Sequence, residues 1–451
     1  MSNRMPTKIV IALLVIAALL RVGFVVATPS YTPLHDDRDY DRLGCAIATG
    51  GSYPRLPTKR PTARSCEIPG QQSSKVPVTY RPPGFPYLLA GSYFVSRPFT
   101  NDRVTVARIL LAFVGVLLVW LAGLVAAEVW GRRVGLIALG LAAVCPPLII
   151  VGGSLLSEPM FASLALAAVL MMLKHRQTGK SVSWALVATS VFAGLAWLTR
   201  SNGMLLIAVL AIAAIGPSPR LRWRALAPAL LVAAVSLLVI APWTIRNAVV
   251  TGELIPVDSS SGPTLAGTYN ATSLNDRVRP GAWRLINQVP ELRKLSETYA
   301  GSDYQYDTHM RRSAIEYVIA NPTAPFVVGF WGTRRLFFVG GGGPRWQAFS
   351  VGVASQSPRL GLLVAISVWI YALLAIVGAF TRRARRASLW FWAVPVMLFL
   401  SAALVNSELR FDLPFIPWLV MLGALAIGAA TRRLDQGREE LPHLQPDGPH
   451  Q

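Results

Sequence analysis

Residues 104–133 read VTVARILLAFVGVLLVWLAGLVAAEVWGRR. From 104 to 127 the run is apolar enough, and long enough, to cross a ~30 Å hydrocarbon core as a helix, for which about 20 mostly apolar residues suffice. A backbone in lipid must satisfy its own hydrogen bonds, so such a run is a helix and not an open strand. Arg132 and Arg133 then mark its return to water. The same pairing of apolar run and basic end recurs along the chain.

By this measure there are about ten spans: 8–28, 104–127, 134–151, 159–173, 182–199, 203–217, 226–242, 359–380, 388–405 and 413–430. The expected fold class is all-α, a polytopic membrane protein. Basic groups stand at Arg4/Lys8, Arg132/Arg133, Lys174/Arg176/Lys180, Arg220/Arg222/Arg224, Arg382/Arg383/Arg385/Arg386 and Arg432/Arg433. Ten spans place every group on one side, which the positive-inside rule makes the cytoplasm. Both termini are then cytoplasmic, and two long outer loops cover about 29–103 and 243–358. Apolar stretches 84–96 and 324–340 read as interfacial or re-entrant helices on the outer face. A lone span at 324–340 would turn the arginines at 382–386 outward. An amphipathic helix is expected within HMRRSAIEYVIANP (309–322), stopped by Asn321-Pro322. GGGG at 340–343 reads as a flexible corner. Residues 1–434 form one membrane domain, and 435–451 a polar, disordered cytoplasmic tail.

Composition agrees. Hydrophobic residues make up 53% and charged residues 14% of the chain, where a soluble domain carries about 25% charged. Mean hydropathy is +0.47. The net charge of +21 lies at the ends of apolar runs instead of on a soluble domain, so nucleic acid is not the partner. The N-terminal run is longer than a signal-peptide core and reads as an uncleaved anchor. Cys145 reads as a packing residue within an apolar run. Cys45 and Cys66 share an outer loop where disulfides persist, and bridged and free states both remain open. There is no P-loop, GxGxxG, CxxC, HExxH or Gly-x-Ser-x-Gly element. Five histidines, two of them in the tail, argue against a histidine-rich metal site.

Charge is then found where the positive-inside rule makes it scarce. HDDRDYDRLG (35–44) gathers four aspartates behind the first span. Arg21, Arg200, Arg246, Arg410 and Glu158 fall at outer span ends. Each has an ordinary explanation: a solvated loop for the aspartates, snorkelling for Arg21, a helix start for Glu158. Together they place carboxylates and guanidiniums at one leaflet. Guanidinium is suited to bidentate capture of phosphate, and a carboxylate beside it can activate a hydroxyl.

The order of these elements resembles the GT-C superfamily of integral-membrane glycosyltransferases, in particular bacterial relatives of protein mannosyltransferases and of the lipid A aminoarabinose transferase. Its first outer loop, D-x-x-x-Y followed by G-x-Y, corresponds to Asp36, Tyr40, Leu43 and GGSYP (50–54). RPPGFP (81–86), Ser157-Glu158-Pro159, TRSNG (199–203), PWTIRN (242–247) and RFDLPFIP (410–417) follow in the family's order. The likeness runs from residue 8 to about 430. Asp412 stands where the family commonly has a basic residue, and Ser201 where it has proline.

The resemblance implies a polyprenyl-phosphate sugar donor, an acceptor in the outer leaflet or beyond (glycolipid, polysaccharide or protein), and an acidic general base aligned with Asp36, with Asp37 next to it. Donor contacts are expected from Tyr40, Arg81, Glu158, Arg200, Asn202, Trp243, Arg246, Asn247 and Arg410, with Arg200 and Arg246 foremost on the leaving phosphate. Asp39 and Asp41 read as helix-start charge. No cofactor is required; Asp36, Asp37 and Glu158 offer oxygen ligands that a divalent metal could use. The arginine-over-lysine bias and abundant alanine point to a bacterial cytoplasmic membrane. A transporter or flippase of lipid-linked saccharides is the rival reading. It would carry polar groups through the membrane's depth, or helices broken near its middle. A non-catalytic scaffold would need no aligned carboxylate and arginines.

Overall fold

The structure is a computed structural model and describes residues 5–50, 53, 66, 79–215, 223–293, 302–339, 357–407 and 409–439. Every regular element among the described residues is helical. In chain order they are Thr7–Ala27 (α1), Asp36–Gly50 (α2), Gly84–Ser96 (α3), Arg103–Trp130 (α4), Arg132–Ala143 (α5) and Pro146–Ile150 (α6). Glu158–Gln177 (α7), Trp184–Thr199 (α8), Gly203–Ile215 (α9) and Trp223–Thr251 (α10) follow. The segment after α10 holds Ser261–Thr268 (α11), Ala271–Leu274 (α12), a 3₁₀ turn at Ile286–Gln288, Asp303–Ala320 (α13) and Ala324–Leu336 (α14). Pro358–Ala379 (α15), Arg382–Arg385 (α16), Leu389–Ala403 (α17), a 3₁₀ turn at Leu409–Asp412 and Ile416–Glu439 (α18) complete the chain.

Helix ends lie where local chemistry puts them. Asp102 caps α4 by accepting from Thr105 N at 3.2 Å, and Gly131, at φ +93°, ends it. Ser302 and Gln305 form a reciprocal capping box at the start of α13. That helix ends at Asn321 as expected, though it begins before His309.

Among the described residues, five helices are long and apolar enough to cross a membrane: α1, α4, α7, residues 226–251 of α10, and α15. Residues α8, α9, α17 and 416–431 of α18 are shorter apolar helices. The chain is thus a multi-pass membrane protein. Its exposed large side chains, such as Leu19 and Val26 on α1, Leu238 on α10 and Leu373 on α15, are apolar, as lipid solvation demands. α4 packs against α5 and α7, α7 against α8, α8 against α10, and α15 along α18. Beside this bundle, α11, α13 and α14 enclose a small core of Ala266, Tyr269, Met310, Ala314 and Val328.

The span expected at 134–151 is broken. α5 ends at Ala143 and a new helix starts at Pro146. Proline lacks the N–H that would continue the ladder and disfavours helical conformation in the residue before it. The carbonyls so released are not left bare: Arg21 Nη2 donates to Ala142 O at 3.1 Å and Nη1 to Ala143 O at 3.0 Å. Arg108 Nε donates to Gly153 O at 2.6 Å, farther along the buried irregular stretch. Irregular backbone survives at membrane depth only when neighbours satisfy it in this way. Arg21 therefore corrects the expectation that it faces an anion or snorkels; it is 2% exposed and committed to backbone.

Other expectations shift less. α10 continues past 242, so Trp243, Arg246 and Asn247 lie in its last turns. Cys45 and Cys66 are bridged, which resolves the open alternative, and Cys145 is free and buried. α18 runs to Glu439, five residues into the segment expected to be disordered. Residues 440–451 and the glycines at 340–343 lie outside the described residues.

Candidate active site

The acidic stretch is itself the first turn of α2, which opens on Asp36 after His35 at φ +53°. Helical spacing sorts its carboxylates onto two faces, since i, i+3 and i+4 are neighbours. Asp36, Asp39 and Tyr40 share one face. Arg81 Nη2 reaches Asp36 Oδ1 at 2.6 Å and Asp39 Oδ2 at 3.1 Å, and its guanidinium stands 5.3 Å from the Tyr40 ring. Asp37 and Asp41 share the other. Asp37 accepts from Tyr31 Oη, whose oxygen accepts from Leu155 N at 3.1 Å. Asp41 is 4% exposed and clamped by Arg103, Nε to Oδ1 at 3.0 Å and Nη2 to Oδ2 at 2.8 Å, with Tyr93 Oη donating at 2.9 Å. Its reading as helix-start charge is corrected: Asp41 is a buried structural ion pair. Asp39 does sit in the first turn, but it too has a specific cation.

Four other elements converge on the first face. Arg410, from the 3₁₀ turn before α18, places Nη2 2.7 Å from Asp36 Oδ2 and Nε 4.0 Å from Glu158 Oε1. Arg200, at the α8–α9 corner, places Nη1 2.9 Å from Glu158 Oε1 and 3.0 Å from Ser157 Oγ. Ser157 Oγ lies 3.2 Å from Tyr40 Oη, closing the circuit to α2. Phe411 lies beneath both guanidiniums, at 5.0 Å from Arg200 and 4.7 Å from Arg410. Gly84 lets the RPPGFP corner meet α8, where a Cβ would sit 2.9 Å from Leu198 O. Asp36, Arg81, Glu158, Arg200, Arg410 and Tyr40 are thus one cluster drawn from five separated elements.

Burial and charge set the protonation of the two leading carboxylates apart. Burial alone would raise Asp36, but Arg410 and Arg81 outweigh it and hold the carboxyl well below the usual carboxylate range. Asp37 lacks such a clamp: burial pushes it up to about 7 against the hydrogen bond from Tyr31 and the charge of Arg410. Asp412 is raised well above its ordinary value by burial and by the charge of Glu158. Because the folded value for Asp37 lies above the unfolded one of about 3.9, its contribution to stability is full below pH 4 and is lost as pH rises through 7. Asp36 acts oppositely, stabilising above pH 4 and losing that contribution in acid. The thermal midpoint of detergent-solubilised protein should therefore fall between pH 5 and 8 more steeply in the wild type than in Asp37→Asn. Parallel slopes would remove the assignment.

A divalent cation would need the carboxylate oxygens that these partners occupy. Both Asp36 oxygens face guanidinium nitrogens, Asp37 Oδ2 faces Tyr31, and Glu158 Oε1 faces Arg200. Among the described residues no three carboxylate, histidine or cysteine side chains converge as a metal set. Asp36 and Glu158 are thus placed as guanidinium partners.

The remaining expected residues stand further off. Trp243 Nε1 donates to Val257 O at 2.8 Å, and Asn247 Nδ2 to Ile255 O at 3.0 Å and Val257 O at 3.3 Å. Both hold the segment leading to Asp258, which accepts from Ser201 Oγ at 2.9 Å through each oxygen. The serine at the family's proline position thus ties this segment to the corner carrying Arg200. Arg246 lies over Trp243 at 4.7 Å and donates to Tyr53 O at 3.1 Å, while Tyr53 Oη donates to Arg81 O at 3.0 Å. It is linked to the cluster through Tyr53. Asn202 Nδ2 reaches Ser401 Oγ at 3.3 Å. Cys45, within α2, is bridged to Cys66. Sequence reading did not find Tyr31 or Asp258, neither of which belongs to a recognisable element. Ser157 entered only as the first residue of the Ser157-Glu158-Pro159 element, with no contact assigned to it.

Residues 80–245 match the family described as dolichyl-phosphate-mannose-protein mannosyltransferase. No curated protein matches the chain by sequence. The archaeal oligosaccharyltransferase AglB from Archaeoglobus fulgidus, in complex with an inhibitory peptide and a dolichol-phosphate, superposes with a TM-score of 0.54 at 16% identity. That superposition covers 97% of this chain and 52% of AglB, so the chain spans about half the relative's length. The apo form of the oligosaccharyltransferase from the same organism gives 0.51 at 16% identity over 95% and 51%. ArnT from Cupriavidus metallidurans bound to undecaprenyl phosphate gives 0.40 at 14% identity, over 98% of this chain and 80% of that one.

Proposed function

We propose that the chain is a membrane glycosyltransferase of the GT-C superfamily that transfers a sugar, with inversion, from a polyprenyl-phosphate donor to a hydroxyl acceptor on the outer face of a bacterial cytoplasmic membrane. One observation carries the reading: Asp36 lies between Arg81 and Arg410, and Arg410 continues toward the Glu158–Arg200 pair. An arriving donor phosphate competes with Asp36 for Arg410. As it takes that guanidinium, Asp36 loses a counter-cation and becomes more basic. The acceptor oxygen attacks the anomeric carbon as its proton passes to Asp36, and the bond from that carbon to the phosphate oxygen breaks. The electron pair leaves with polyprenyl phosphate, which needs no proton, so the second carboxylate of a glycosidase has no counterpart. Arg410 and Arg200 stabilise the charge that grows on the departing phosphate. The family name, with its dolichyl-phosphate-mannose, and the dolichol-phosphate held by AglB both favour a polyisoprenoid phosphate donor.

The helix broken at Val144 and Cys145 is the feature a flippase would show. Its Ala142 and Ala143 carbonyls are taken by Arg21, however, which withdraws them from a passing substrate. Purified protein incubated with a panel of polyprenyl-phosphate sugars and envelope acceptors should release polyprenyl phosphate stoichiometrically with glycosylated product. Arg410→Lys should weaken donor use about 10-fold or more through loss of bidentate geometry, with acceptor dependence unchanged. Movement of the lipid-linked sugar across vesicles without bond cleavage would replace this reading by the transporter.

A further inference from the structure

Glu158 and Asp412 are each 1% exposed, and each keeps one oxygen, Oε2 and Oδ2, with no hydrogen-bond partner among the described residues. Buried carboxyl oxygens are rarely left so, and each such case calls for a water, an ion or a ligand. The two come from separate elements, the first turn of α7 and the 3₁₀ turn before α18, and Asp412 shares that turn with Arg410, whose Nε lies 4.0 Å from Glu158 Oε1. The other Glu158 oxygen is held by Arg200 and lies 4.0 Å from Arg410 Nε. The open acceptors therefore sit beside the two guanidiniums assigned to the donor phosphate, and a glycosyl group begins one bond from that phosphate.

We propose that Glu158 and Asp412 form the subsite for the donor's glycosyl group, accepting hydrogen bonds from its hydroxyl or amino groups and excluding anionic sugars such as uronic acids. Sugar hydroxyls supply the donors that these oxygens lack, and hydrogen bonds to a carboxylate are the stronger kind. A sugar carboxylate would meet the buried charge of Glu158 without a cation of its own, which is discrimination by repulsion. A site built to bond a hydroxyl also penalises a ligand that lacks it.

This subsite rests on the donor reading, and one binding experiment separates the two. Purified wild type is titrated with polyprenyl phosphate, with its neutral hexose and pentose esters, and with a uronic acid ester. At least one neutral ester should bind 10-fold or more tighter than bare polyprenyl phosphate, and the uronic acid ester no tighter than it. Asp412→Ala should erase the sugar-dependent gain while bare polyprenyl phosphate binds within twofold of wild type; Asp412→Asn, which keeps an acceptor oxygen, should retain part of it. The subsite is overturned if no neutral ester exceeds the bare lipid, if the uronic acid ester matches them, or if Asp412→Ala weakens all ligands equally. The first two results concern wild type alone and decide the matter even if the variant does not fold. Water alone on these oxygens gives the first of them. Failure of polyprenyl phosphate itself to bind overturns the donor reading, and the subsite with it.

Discussion

Asp36→Asn is expected to lower sugar transfer about 1,000-fold, within the ~10²–10⁴ range that a positioned general base contributes. Asparagine keeps the shape and one acceptor oxygen but loses the charge between Arg81 and Arg410. Some thermal stability is lost with it, so transfer alone does not identify a base. The distinguishing measurement is donor binding. With Asp36 no longer competing for Arg410, the variant should hold polyprenyl phosphate as tightly as wild type or more tightly while turnover collapses. A merely structural Asp36 would lower both together, and transfer within threefold of wild type would remove the role. Asp37→Asn makes the useful contrast: it should retain most turnover, because Asp37 faces Tyr31 and not the arginine pair.

The largest expected effect on folding comes from Arg103→Ala. Asp41 would be left with the Tyr93 hydroxyl at 2.9 Å and without the guanidinium that now meets both its oxygens. Stranding one partner of a buried ion pair costs about 3–5 kcal/mol. Since Asp41 lies in the middle of α2, that loss falls on the helix presenting Asp36. The variant should show a lower thermal midpoint in detergent and a reduced monodisperse fraction in gel filtration. Replacing both partners, Arg103→Met with Asp41→Leu, should recover much of the loss, because the desolvation of two charges disappears with the pair. Undiminished stability in the single variant would show that the pair is dispensable.

Most spans were legible because lipid selects composition directly: α1, α4 and α15 announce themselves as apolar runs. The break after α5 was written in Cys145-Pro146-Pro147, but hydropathy summed over a window hides two prolines among leucines and isoleucines. The acidic stretch was misread by a few residues at its helix start. With a helix starting near Tyr40, Asp41 reads as helix-start charge; with the start at Asp36, helical spacing turns it inward to Arg103. Arg200, Glu158 and Arg410 were found because motif order keeps them recognisable. That Arg410 pairs with Asp36 is a contact across the whole length of the chain, which no local pattern encodes. Arg21 misled for the same reason. Its charge was visible, and its partners on α5 were not.

Arg21 also has a history during synthesis. It precedes the carbonyls it satisfies by 121 and 122 residues. At ~5–20 residues per second, about 6–24 s separate its translation from theirs. Through that interval a helix otherwise rich in leucine, isoleucine and valine carries a charge that membrane insertion disfavours by up to about 3 kcal/mol near a helix centre. α1 has enough apolar residues to enter lipid regardless, and Arg21 Nη1 can meet Ala17 O of its own helix at 3.1 Å. It gains the Ala142 and Ala143 carbonyls, however, only when Pro146 has halted the later helix. The final seating of the first helix is thus coupled to emergence of the segment that leads to Glu158, so membrane assembly and completion of the site share a late step.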